Sequence, residues 1–316
     1  MRYELFIIPA AYILDLAFGD PQISWHPVRL IGRFIEKLEN RLNKPGYNRK
    51  LFGVILVFLV VGTSAAIVWG ILQVCSAISK FLFYAVSVLL IYFTLSVRNL
   101  ADEASKIKRD LESSNVRRAR NNLAMIVGRD TNNLNEEEII RATVETVAES
   151  TMDGIIAPLF YAFLGGPVLA WVYKAVNTLD SMVGYKNERF REFGWASAKL
   201  DGLLNLIPAK ITAFLISAAM FFCRKDLFNS IRWAAKYIFK GPAFNSDTAE
   251  ASMAGGLGVQ LGGTNFYGSL AVHKSFLGNA REPLAVKHIR QSTVISYTAS
   301  ALMLVAGLIA MVRGML

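Results

Sequence analysis

Four charged side chains recur at four-residue intervals, Arg141, Glu145, Glu149 and Asp153, immediately before an apolar run from Ile155 to Phe163. On a helix this spacing places them on one face, one above the other. Arg141 and Glu145 alone could form a solvated ion pair. Glu149 and Asp153 fit that reading poorly, because carboxylates on a helix entering a hydrophobic layer are expensive and serve chemistry or transport. At such a boundary they can bind a metal-bound phosphate or act as a general base.

Three other stretches concentrate chemically able groups. Gly19-Asp20-Pro21 followed by His26-Pro27-Val28-Arg29 can be a Pro-rich turn with Arg29 snorkelling, or can hold His26 between Trp25 and Pro27 as an acid–base group. Asn177 to Asn187 mixes amides, hydroxyls, Asp180 and Lys186; with Arg189 beyond it, the lysine offers phosphate a point charge and the arginine a planar fork. A polar loop with a Gly turn is the alternative. Gly255 to Gly263 could cradle phosphate, but it lacks the GK[ST] ending of a P-loop. The Gly258/Gly262 spacing favours close helix packing instead.

The elements that must position these groups are membrane helices. Of 316 residues, 53% are hydrophobic and 18% charged, with mean hydropathy +0.37, which is more apolar than an average soluble domain. Leu51 to Cys75, Phe81 to Val97 and Thr293 to Val312 are uncharged and long enough to cross a bilayer core. Ile155 to Val176, Leu203 to Cys223 and a shorter Tyr3 to Phe18 resemble them. The expected fold is an all-α polytopic membrane protein of about five or six membrane helices. Residues 1–316 form one integrated domain in this reading, with soluble insertions at 98–150 and 224–291. The opening run has neither the basic leader nor the cleavage pattern of a signal peptide.

The net charge of +10 follows topology: basic residues crowd Arg29 to Lys50 and Arg98 to Arg120, whereas Lys80 is alone between the two spans. The positive-inside rule makes Leu51 to Val97 a hairpin with cytoplasmic ends, and no nucleic-acid motif competes. Val28, Ile31, Ile35 and Leu38 mark an amphipathic helix, as do Leu100, Ala104, Ile107 and Leu111. Asn135 before three glutamates is a helix start with a capping box. That helix is expected to run to Pro158. Gly165-Gly166-Pro167 can break the next span into a re-entrant hairpin, returning Asn177 to the cytoplasm. Cys75 and Cys223 read as buried thiols, and three scattered histidines make no zinc pattern.

Taken together, these blocks resemble the adenosylcobinamide-phosphate synthases of cobalamin biosynthesis, CobD or CbiB. The resemblance runs from Asp15, Gly19-Asp20-Pro21 and His26-Pro27-Val28-Arg29 through Gly128-Arg129-Asp130-Thr131, Arg141, Glu145, Glu149 and Asp153-Gly154. It continues over Asn177 to Asn187, Asp201, Asn205, Met253-Ala254-Gly255 and Gly262-Gly263 to Asn265. It implies a multi-pass cell-membrane ligase with a cytoplasm-facing site, joining adenosylcobyric acid to aminopropanol or its phosphate at the expense of ATP and Mg²⁺. Other cobalamin-pathway enzymes are implied as possible partners, and no permanently bound cofactor is expected.

On the family pattern, Glu145, Glu149, Asp153, Asp180 and His26 would be catalytic, with Glu149 and Asp153 also holding Mg²⁺. Asp20, Arg29, Asp130, Thr131, Asn177, Lys186, Asn187, Arg189, Asp201, Asn205 and Asn245 would bind substrate or phosphate. The chain departs from that pattern at Ser150, Gly202, Thr264 and the stretch Ala243 to Ala249, of which Asn245 alone is clearly kept. Two alternatives are a transporter for a corrinoid or polar solute, which the absence of internal repeats disfavours, and a non-catalytic scaffold paralogue.

Overall fold

The computed structural model describes residues 4–21, 23–185, 187–267 and 270–314. Thirteen α-helices and one β-hairpin occupy them. In order these are α1 (Glu4–Phe18), α2 (Pro27–Leu42), α3 (Arg49–Ile78), α4 (Lys80–Tyr92), α5 (Val97–Glu112), α6 (Val116–Ala124) and α7 (Glu136–Thr151). A π-turn, Met152–Ile156, leads into α8 (Ala157–Val183), followed by α9 (Trp195–Leu204), α10 (Leu206–Phe222), α11 (Leu227–Ala235) and α12 (Asn245–Leu257). The hairpin strands β1 (Leu261–Tyr267) and β2 (Leu270–Leu277) precede α13 (Lys287–Val312).

Among the described residues, four helical stretches are long and apolar enough to cross a membrane: α3, Lys80–Glu112, Glu136–Val183 and α13. Helices α9 and α10, bent by 48° at their junction, make a fifth if taken as one broken span. The fold is therefore the expected all-α polytopic one, at the lower edge of the expected helix number. The difference lies in α1, whose 15 residues fall short of the roughly 20 a straight span needs. Helix α3 shows what a lipid-facing helix requires. Gly53, Leu56, Val60, Ser64, Val68 and Leu72 are buried along one line, while Val54, Phe58, Ile67 and Trp69 stand exposed on the others. Such an apolar exposed face would be costly in water and is favourable in hydrocarbon.

The chain divides into two compact units. The first comprises the residues up to Ser96, Ala157–Leu206 and those from Leu304 onward. Its core joins Ile35 of α2, Leu56 and Val60 of α3, Leu179 and Val183 of α8, and Phe193. Gly53 permits this packing, since a Cβ there would lie 1.9 Å from the Phe193 carbonyl oxygen. The α2 apolar stripe is as expected, and Pro27 occupies the first helical turn, where its missing N–H is harmless. Helix α8 breaks at Gly165 and Gly166, as anticipated; Gly166 has φ +61° and ψ −152°, a region open essentially to glycine. The helix then resumes to Val183, so Asn177 to Val183 is helical rather than loop.

The second unit comprises Val97–Ile156 and Ile207–Met303. Both expected insertions fall within it. The capping box of α7 is complete: the Asn135 side chain accepts the Glu138 N–H, and Glu138 accepts the Asn135 N–H. The helix does not continue regularly to Pro158, because the π-turn intervenes and ends the four-residue repeat at Asp153. At the centre lies α12, buried continuously from Thr248 to Leu257. Its small residues allow close approach, with Ser230 of α11 bonding both Ser217 of α10 and the Ser252 carbonyl.

The Gly255–Gly263 segment is not one helix face, which corrects the small-residue packing reading. Gly258 has φ +72° and caps α12 in the left-handed conformation, with the Val259 N–H bonding the Ala254 carbonyl. Gly262 and Gly263 lie beyond that stop, in β1. The hairpin itself is antiparallel and bulged between Leu261 and Gly263, bringing Gly263 opposite Lys274.

Candidate functional site

In the second unit, the first polar centre forms where α7 meets β1. Glu145 is buried, and neither of its oxygens is free. Oε2 accepts from Arg129 at 2.6 Å; Oε1 accepts the Gly262 N–H at 2.8 Å, with Arg141 at 3.7 Å. Arg141 also donates to the carbonyls of Gly262 and Thr264, and both arginines donate to the Asn265 side chain. Gly262 makes this possible. Its φ is +85°, and a Cβ would lie 2.2 Å from the Ser275 carbonyl oxygen. The expected Arg141–Glu145 pair therefore exists, but the closer partner is Arg129, sixteen residues earlier in the chain. Glu145 is a clamp that pins the hairpin to α7 rather than a carboxylate open to substrate.

The clamp borders a cavity of about 330 Å³ lined by Arg141, Gly262, Gly263, Thr264, Phe266 and others. Asp130 reaches the same strand through its backbone, donating to the Phe266 carbonyl at 2.8 Å; its side chain is exposed, and Thr131 beside it is buried.

A second polar centre lies where α12 faces α7 and β2. Glu250 is wholly buried, its Oε1 is 3.5 Å from Lys274 Nζ, and its Oε2 has no hydrogen-bond partner among the described residues. Burial pushes the Glu250 carboxyl well above its ordinary range. Lys274 opposes that shift, while Glu145, Glu149 and Asp247 reinforce it. Asp247, three residues earlier on α12, is raised by burial too. Lys274 is held above its usual range mainly by Glu250. Glu149 is exposed and Asp153 half-buried. Asn245, at the start of α12, is buried.

Among the described residues no group of three or more His, Cys, Asp or Glu is arranged to hold a metal ion. A separate cavity of about 470 Å³ is lined by Lys108, Lys225, Lys287 and Arg290 together with Glu112, a lining that favours an anion.

In the first unit, His26 is buried. Its Nδ1 accepts the Val28 N–H at 3.3 Å, capping α2, and its Nε2 lies 2.8 Å from Asp20 Oδ1. The ring edge rests on Phe93. Asp20 and His26 are thus brought together, with Arg29 exposed one turn on. A buried chain links Asp201 to Asn205 at 3.0 Å and Asn205 to the Tyr173 hydroxyl at 3.0 Å, with Tyr173 stacked on Tyr161. Asn177 and Asp180 lie half-buried on α8. Asn187 accepts the Phe190 N–H and shapes a turn. Arg189 is taken up by a two-point bond to Glu39, at 2.7 and 3.1 Å, so its fork already holds a carboxylate. Lys186 lies outside the described residues.

Sequence reasoning missed Glu250, Asp247 and Lys274 as site residues and left Arg129 without a role. The signal for Glu250 was available: it is an acid flanked by the small residues Ala249, Ala251 and Ser252.

Comparison with known proteins adds independent findings. The family model described as CobD/CbiB protein matches residues 8–296. A "Cobalamin biosynthesis protein CobD" from Listeria monocytogenes serotype 4b is 44% identical over 301 residues, covering 94% of this chain and 95% of that protein. One of the same description from Citrobacter koseri is 42% identical over 299 residues, 93% of each chain. A "Cobalamin biosynthesis protein CbiB" from Salmonella typhimurium is 41% identical over 299 residues, again 93% of each. No solved structure matches.

Proposed function

This chain belongs to the CobD/CbiB family, and from that membership we propose that it acts in cobalamin biosynthesis as a membrane-bound, ATP-dependent amide ligase. Its acid substrate is the corrinoid adenosylcobyric acid, and its amine substrate is aminopropanol or aminopropanol phosphate. The site faces the cytoplasm, where ATP is supplied.

The observation that carries the reading is the gathering of Glu149, Asp247, Glu250 and Lys274 from three elements into one partly buried cluster. Glu250, Asp247 and Lys274 have displaced proton affinities; such groups are costly to bury and are characteristic of sites that move protons. An amide cannot form from a carboxylate and an ammonium at neutral pH without two preparations. The carboxylate must be activated, which ATP does by making an acyl phosphate, and the ammonium must lose a proton. Glu149 and Asp153 are assigned to the Mg²⁺ that accompanies ATP. The Arg129–Glu145–Arg141 clamp holds β1 and, through the strand pairing, Lys274 of β2.

The test is to supply the purified, detergent-solubilised protein with adenosylcobyric acid, Mg-ATP and each amine form, and to look for the amide by mass spectrometry. Product that requires ATP and falls at least about tenfold in Glu149→Ala supports the assignment. Folded protein that makes no amide with either amine refutes it.

A further inference from the structure

Glu250 has the unusual position of a carboxylate with no exposure, one long ionic contact and one oxygen without a hydrogen-bond partner among the described residues. Buried acids ordinarily have both oxygens satisfied, and an orphan oxygen calls for a proton or a ligand. The charges acting on Glu250 are Lys274 from β2, Glu145 and Glu149 from α7, and Asp247 from its own helix. Helix α11 meets α12 through Asn229 and Ser230, which do not ionise. Glu145 is already neutralised by Arg129 and Arg141. With Glu149 given to Mg²⁺ in the ligase reading, Asp247 and Glu250 remain beside Lys274, with Lys240 acting on Asp247 as well, and Glu250 Oε2 is an acceptor with neither cation nor donor bonded to it among the described residues. Lys274 Nζ, 3.5 Å from Glu250, shows that the cluster accommodates a primary ammonium.

We propose that this cluster binds the primary ammonium of the amine substrate, and that Glu250 accepts the proton the nitrogen must lose before it attacks. The inference rests on the ligase reading above. In balanced form, the ammonium gives one proton to the Glu250 carboxylate, and the freed nitrogen lone pair attacks the acyl phosphate carbon. A C–N bond forms and the acyl C–O bond breaks. Inorganic phosphate leaves with that electron pair and takes the second nitrogen proton. Glu250 returns its proton to solvent. An ordinary carboxylate is far too weak a base for an alkylammonium, whereas burial raises Glu250 to about 8 and narrows the gap.

Hydroxylamine separates the two halves of the reaction, because it is uncharged at neutral pH and needs no base to attack an acyl phosphate. Wild-type protein with adenosylcobyric acid and Mg-ATP is expected to form the hydroxamate with hydroxylamine and the amide with the amine. Glu250→Gln is expected to keep hydroxamate formation within about threefold and to lose about 100-fold or more in amide formation. Wild-type amide formation should also rise with pH along a limb near 8 that the hydroxylamine reaction lacks. If Glu250→Gln, folded by its unfolding midpoint in detergent, makes amide normally or loses both products together, the role of Glu250 is overturned while the ligase stands. If wild type yields neither product, both readings fall. Should Glu250→Gln not fold, Glu250→Asp replaces it; amide slowed with hydroxamate retained supports the proposal, and amide at the wild-type rate overturns it.

Discussion

Two arginine–carboxylate pairs, one in each unit, use the same charges in different surroundings. Arg129 and Glu145 lie 2.6 Å apart with side chains 7% and 6% exposed. Arg189 and Glu39 lie 2.7 Å apart, but the Arg189 side chain is 62% exposed. The shortest distances would rank them equal, although Arg189 holds Glu39 by two bonds and Arg129 holds Glu145 by one. Both carboxylates are buried, and the arginines differ: water reaches the place of Arg189 beside Glu39, to which Asn43 also donates, whereas Arg129 is itself buried and leaves Glu145 only Arg141 at 3.7 Å and the Gly262 N–H. The Glu250–Lys274 pair falls between, with a wholly buried acid and a lysine whose side chain is 35% exposed.

The sharpest way to break this comparison is to remove one partner of the buried pair. Arg129→Ala leaves buried Glu145 with the longer contact to Arg141 at 3.7 Å as its remaining cation, and is expected to cost about 3 kcal/mol of stability, read from denaturant unfolding in detergent. A loss no greater than that of Arg189→Ala would show that burial does not decide the matter. The intermediate pair is sharpened by pH. A glutamate raised in the folded state binds more protons folded than unfolded between the ordinary carboxylate range and about 8. Stability must therefore decline as pH rises through that window, and it is fully present below it. Asp247, raised as well, contributes with the same sign. Unfolding midpoints taken across pH 5 to 9 should slope downward in the wild type and less steeply in Glu250→Gln; parallel slopes would remove Glu250 as the source. The smallest effect is expected from Arg189→Ala, whose unfolding midpoint should match the wild type at high salt and differ little at low salt.

Legibility in the sequence followed the range of the interaction. The α7 start at Asn135, the α2 stripe and the Gly165–Gly166 break are set by neighbours within a few residues, and all were readable. The Arg141–Glu145 spacing was readable for the same reason. That Arg129 lies closer was not, because it depends on how the segment before α7 folds back. Gly258 and Gly262 share a spacing with helix-packing motifs, but spacing does not reveal a backbone at positive φ; the Gly258 cap ends the helix first. The π-turn is invisible because no residue type marks it. Lys274 could not be paired with Glu250 from sequence, since the contact requires β2 to fold back over α12.

The clamp around Glu145 has a consequence for the order of synthesis. Arg129 precedes Glu145 in the chain, but Gly262 follows it by 117 residues and Asn265 follows Arg129 by 136. While the chain emerges, α7 is complete long before the strand that satisfies it exists. Until β1 is made, Glu145 and Arg141 must remain hydrated, and α12, the helix that fills the middle of the unit, has not been translated. The second unit therefore cannot close domain-first from its N-terminal half. It waits, solvated, for the last quarter of the polypeptide, and a chain stopped before Gly262 lacks the strand N–H and the Asn265 side chain that complete the clamp.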